Sequence, residues 1–186
     1  MSQDSFYVHD GVVYFRGVAI KDADLATFEN LGDHYAKDKD HVYYEKSVLV
    51  PSHDTQAFEL LGNYYARDEE HIFFSGECMW DADPATFEFL GSGYTKDKNH
   101  VYIAGEVLPD ADPETFEYVG DSYARDKNRV YYAGKAIAEA DPYTFVVVAY
   151  HYGKDKHNVY HHGEPAPSLI PENCTKENLE AANLGY

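Results

Sequence analysis

Basic residues are scarce. The 186-residue sequence carries 15 lysines and arginines against 33 acidic residues, a formal net charge of −18. Nucleic acid and anionic membranes are bound through a basic footprint that such a chain lacks. Neither is an expected partner, whereas a basic protein is. Cys78 and Cys174 are the only cysteines, with neither C-x-x-C spacing nor a disulfide framework, which suits a reducing compartment. There is no 18-residue apolar run, and the opening Met1-Ser2-Gln3-Asp4-Ser5-Phe6 has no basic stretch leading into an apolar one. A cytoplasmic protein is expected. A G-x-S-x-G elbow, a phosphate loop, H-E-x-x-H and a dinucleotide fingerprint are also missing.

What is present is aromatic and periodic. Aromatic residues make up 16% and hydrophobic residues 44% of the chain, which places it outside the disordered class despite its charge. Tyr35-Ala36-Lys37-Asp38-Lys39-Asp40-His41-Val42-Tyr43-Tyr44 recurs from Tyr65, Tyr94 and Tyr123 and, more loosely, from Tyr152. A second block, Asp110-Ala111-Asp112-Pro113-Glu114-Thr115-Phe116, returns its phenylalanine at Phe28, Phe58, Phe87, Phe116 and Phe145, spaced by 30 and then 29 residues. Tandem units of that length stack on one another to make a shared core.

Within a unit, Asp126-Lys127-Asn128 separates two strand-like pieces and reads as a hairpin turn. A break at Gly17, Gly76, Gly105 or Gly134 precedes an apolar pair such as Val107-Leu108, a candidate third strand. Asp112-Pro113 resembles an N-cap followed by proline at the first helical position, with Gly120 as a stop, which predicts a short helix. The expected class is α+β, an open stack of five hairpin-plus-helix units near 12–41, 42–71, 72–100, 101–129 and 130–163 within a single repeat domain, 1–167. In the fifth copy Phe145 is followed by Val146-Val147-Val148 where other copies place Glu after the phenylalanine, so an exposed acid has become apolar. Residues 168–186, helix-like from Thr175 to Leu184 with Gly185 as a stop, are therefore expected to form a C-terminal helical cap.

Asp126-Lys127-Asn128 with Val130-Tyr131-Tyr132 resembles the DKNYY family of bacterial repeat proteins over about residues 12 to 163. The resemblance implies a bacterial source and tandem hairpins, and it transfers no activity. Departures are Asp68-Glu69-Glu70, where acids replace the turn's Lys and Asn, and His157 in place of Asn.

Repetition argues against catalysis, because a residue present in every copy is explained by packing while an active site needs an asymmetric constellation. His151, His157, His161 and His162 lie close in sequence. Yet the position of His41, His71 and His100 becomes Arg129 and Asn158, so it demands no metal ligand. The pairs Asp22/Asp24, Asp81/Asp83 and Asp110/Asp112 read as capping residues. No cofactor or metal is expected. Specificity should reside where the copies differ: Trp80, whose equivalents are Lys21, Pro109 and Ala138, together with Met79 and the turn Asp68-Glu69-Glu70. The expected function is non-catalytic protein binding, most sharply an immunity protein that neutralises a basic toxin or effector. The alternatives are a structural or envelope-associated repeat and a carbohydrate-binding module.

Overall fold

The computed structural model describes residues 5–49 and 54–182. It contains six antiparallel sheets, one of three strands and five of four. The chain divides into two compact units, residues 1–85 and 86–186, each holding three of the sheets.

Each four-stranded sheet is a meander in sequence order, as in Glu117–Gly120, Tyr123–Arg125, Val130–Tyr132 and Lys135–Ile137 of the fifth. The central hairpin is the expected one, with Tyr123 opposite Tyr132, Ala124 opposite Tyr131 and Arg125 opposite Val130. The expected third strand is also present. It follows the two-residue turn Ala133-Gly134, φ 44° and 80°, whose left-handed conformation matches the twist of the strands it joins.

The helix expected after Asp112-Pro113 is absent, and its place is taken by the first strand of the sheet. A single turn does form there, since the Thr115 N–H donates to the Asp112 carboxylate at 3.1 Å. It does not propagate. Two helical turns offset the nucleation cost poorly, whereas Glu117–Gly120 gains a ladder with Tyr123–Arg125. Gly120, at φ 111°, is no helix stop but lies where the register shifts after Tyr118, as at a β-bulge. The α+β reading is corrected to repeated antiparallel sheets; among the described residues only Pro171–Asn173 (3-10) and Lys176–Ala181 (α) are helical.

Two details of the five-unit reading change with it. A sheet spanning 117–137 straddles the expected boundary at 129/130, as the others straddle theirs. Phe6–His9, Val12–Phe15 and Val18–Ala19 form an additional first sheet. Its hairpin turns on Asp10-Gly11 alone, φ 48° and 75°, so it lacks the recurring polar turn that makes the other copies visible.

Adjacent sheets within a unit interleave aromatic rings. Tyr94, Val101 and Leu108 of the fourth sheet meet Phe116, Ala124 and Tyr131 of the fifth in one buried cluster. The second and third sheets meet in the same way through Tyr35, Val42, Leu49, Phe58, Ala66 and Phe73. The phenylalanine row is uneven: Phe58, Phe116 and Phe145 are 2%, 3% and 2% exposed, while Phe28 and Phe87 are half-buried. Phe145 lies against Gly153 so closely that a Cβ there would sit 2.3 Å from its ring, so this copy requires glycine where the others carry Ala36, Ala66, Thr95 and Ala124.

Tyrosine hydroxyls set the register between sheets. Tyr35 donates to the Tyr64 carbonyl at 3.1 Å and accepts the Gly76 N–H at 2.9 Å. Tyr94 and Tyr123 accept from Gly134 and Gly163 in the same manner. Gly76 is required twice over, since its φ is +80° and a Cβ would fall 2.4 Å from Tyr44. Burial pushes the Tyr94 and Tyr123 hydroxyls up to about 12, so both remain donors at neutral pH.

After the sixth sheet the chain follows the linker geometry of the other copies for one more segment. Arg125 donates to the Pro142 and Phe145 carbonyls, each at 3.1 Å. Lys154 donates to those of Pro171 and Cys174 at 2.8 and 2.9 Å. Cys174 thus occupies the recurring phenylalanine position. Helix Lys176–Ala181 then begins at Thr175, whose hydroxyl accepts from the Asn178 N–H. Its Leu179 joins Cys174, Tyr152 and Val159 in a buried cluster against which Val148 packs. Leu184 and Gly185, the expected end of this helix, lie outside the described residues.

Candidate protein-binding surface around Trp80

The recurring aspartate must be separated from function first. Asp126 is buried, and one carboxylate oxygen accepts the Asn128 and Arg129 N–H groups at 2.7 and 2.8 Å. The other accepts the Tyr131 hydroxyl and the Asp112 N–H, both at 2.9 Å. Asp38 and Asp155 bind the same four groups of their own copies. This residue closes the turn, anchors the sheet and fixes the linker, and it has no capacity left for a ligand.

Burial alone would raise the Asp38 and Asp155 carboxyls, but the donated hydrogen bonds outweigh it and hold both below the usual carboxylate range. Groups depressed in this way stabilise the fold above the unfolded value, about 4, and lose that contribution as pH falls through the lower folded values. The urea midpoint is therefore expected to drop steeply below about pH 4, a titration that denaturation curves from pH 7 to 2 would follow.

The third sheet departs from this pattern. Asp68 is buried in its turn and accepts the Glu70 and His71 N–H groups at 2.9 and 2.7 Å. Its carboxylate holds the turn, so the exposed acids of this copy's turn are Glu69 and Glu70. The recurring tyrosine is here Phe73, which has no hydroxyl to offer. His71 comes closer instead, its Nδ1 donating to Asp68 at 3.2 Å where the equivalent His41–Asp38 separation is 3.7 Å. The His71 ring meets Trp80 edge-to-face, centroids 5.7 Å apart. Trp80 follows strand Glu77–Met79 and is 72% exposed, while Met79 is half-buried opposite Ile72. The structure thus brings the acidic turn and the tryptophan together through His71, a residue that sequence reasoning left among the tolerant polar positions.

Glu69 carries a second departure. Lys39, Lys127 and Lys156, one residue after the recurring aspartate, pair with Asp24, Asp112 and Asp141, fifteen residues earlier in each case. In the third copy the same positions are Glu69 and Asp54. Acid stands where an ammonium neutralises acid elsewhere, and Glu69, Glu70 and Asp54 are all exposed. Glu69 also rims an open groove of about 310 Å³ lined by Ala57, Glu59, Arg67, Pro84 and Ala85. The corresponding grooves of the fourth and fifth sheets carry Lys98 and Lys127 at that point.

The tandem meanders, with a buried aspartate in the turn of each four-stranded sheet and its tyrosine partner in four of the five, account for the result of comparison with protein families: the DKNYY family matches over residues 6–129 and 46–164. The chain belongs to the DKNYY family. Neither curated proteins nor solved structures give a match. In this DKNYY chain the motif residues Asp126 and Tyr131 are both buried and bonded to each other, so the family pattern is a folding pattern.

The remaining sequence candidates sort accordingly. His162 stacks on His151 with centroids 4.7 Å apart and meets His161 at a tilt with centroids 4.3 Å apart. The nitrogens that point inward are used: His151 Nδ1 lies 3.2 Å from the Asp121 carbonyl, and His162 Nδ1 lies 2.6 Å from the Tyr132 hydroxyl. Among the described residues no group of three His, Cys, Asp or Glu is placed to hold a metal ion, and no helix is long and apolar enough to cross a membrane. Burial and the Asp68 charge push the Cys78 thiol up to about 11, which favours the protonated form at neutral pH.

Proposed function

We propose that this DKNYY protein is a non-catalytic binding module whose contact surface comprises Trp80, Met79, Glu69 and Glu70, and whose partner is a basic protein. The observation that carries the reading is the charge reversal at Glu69. Three copies neutralise the linker aspartate with their own lysine, and the third offers two acids to a cation supplied from outside. Trp80, 72% exposed and in edge-to-face contact with the His71 ring, is the aromatic anchor beside it. The net charge of −18 extends the same preference to long range. Neutralisation of a bacterial toxin by occlusion is the sharper form of this function.

Two substitutions test it. Glu69→Lys restores the lysine of the other copies opposite Asp54, so folding stability should hold or rise by up to about 1 kcal/mol while partner association slows and loses salt sensitivity. Trp80→Ala should chiefly accelerate dissociation. The measurement is capture from the source bacterium followed by binding kinetics at two salt concentrations. A partner indifferent to both substitutions would remove this surface, and a growth assay with the partner gene expressed separates toxin neutralisation from other binding.

A further inference from the structure

We propose that the tail of this protein is a displaceable plug over a homotypic stacking site, and that the occupant it excludes is the first sheet of a second copy. At three of the four sheet junctions within the two units, a recurring tyrosine and valine of one sheet receive a ring pair from the next, the linker phenylalanine and the central-strand aromatic; at the first junction Phe6 and Val13 stand in the receiving positions. Phe145 with Tyr160, centroids 6.1 Å apart, and Phe116 with Tyr131, 5.5 Å, are such pairs. The sixth sheet presents the same receiving residues, Tyr152 and Val159, and they are covered by Cys174 and Leu179. The tail imitates a linker as far as Cys174, through the two Lys154 bonds, and then substitutes a helix for the next sheet.

The first sheet presents the complementary half. Its outward central-strand aromatic is Tyr14, equivalent to the buried Tyr43, and Tyr7 lies flat on it with centroids 5.4 Å apart and planes 13° from parallel. That ring pair has the spacing of the internal ones, parallel where they are tilted by 45° and 48°, and Tyr7 is 44% exposed while Tyr14 is half-buried. One copy therefore carries both halves of a junction, one open and one plugged. Such a contact is heterologous and adds copies end to end unless one half is blocked.

The test uses the full-length chain. Leu179→Asp should release the tail, read as faster alkylation of Cys174, which is 1% exposed when covered, in a Cys78→Ser background. Light scattering should then show association that grows with concentration. Adding Tyr14→Asp removes the open half, so the double variant alone stays monomeric but forms a one-to-one complex with the wild-type chain. Tyr150→Phe, which deletes the hydroxyl bonded to Glu180 at 2.8 Å, gives a milder release: a smaller gain in labelling and in complex. Reactive Cys174 without complex formation, complexes indifferent to Tyr14→Asp, or a Cys174 that stays protected in both tail variants would each overturn the proposal.

Discussion

Asp126→Ala is expected to cost about 3 kcal/mol or more of folding stability, among the largest effects of any single turn substitution in this chain. The carboxylate is buried and accepts from Asp112, Asn128, Arg129 and Tyr131. Truncation strands three backbone donors and a hydroxyl, and each costs far more unpaired than its bond contributes when made. Asp126→Asn keeps the shape but presents one donor edge to groups that are all donors, so it should lose part of the same stability. Urea denaturation at pH 7 checks both. A loss below about 1 kcal/mol for the alanine variant would mean that water replaces the carboxylate and that the turn is not the keystone of the copy.

Phe116→Ala should be of similar size, about 3 to 5 kcal/mol. Its ring fills the layer between the fourth and fifth sheets, 5.4 Å from Tyr94 and 5.5 Å from Tyr131. Neighbouring meanders are held by ladders of backbone hydrogen bonds and cannot collapse into the void without breaking register. Phe87→Ala is expected to cost less, because Phe87 is only half-buried. Equal losses at the two positions would show that the rings contribute through something other than burial.

The hairpins, the third strands and the recurrence of the phenylalanines were legible in the sequence because each has a local cause: turn chemistry, alternation, and a fixed spacing. The helix was misread for an equally local reason. Asp112-Pro113 gives the same capping bonds to one turn as to a whole helix, and the competitor, a ladder with Tyr123–Arg125, appears only when the next hairpin is in place. The first sheet was missed because its Asp10-Gly11 turn needs no recurring aspartate. At the candidate surface, the choice of Trp80 followed from its equivalents Lys21, Pro109 and Ala138, none of them a residue of an obligate core. The role of His71 did not, since it depends on the hydroxyl missing from Phe73. The reversal at Glu69 was readable in principle: the lysine-to-aspartate offset recurs in the sequence, but only the pairing in three other copies gives it meaning.

The account rests on a division of labour in which recurring residues hold the sheets together and the outliers are free to bind. The most direct test is the urea midpoint of Trp80→Ala measured beside that of Asp126→Ala, with a constant slope required in both. Trp80 touches His71 and is 72% exposed, so its removal should move stability by no more than about 1 kcal/mol while Asp126→Ala moves it several-fold further. A Trp80→Ala variant as unstable as Asp126→Ala would contradict the account and make the tryptophan part of the scaffold.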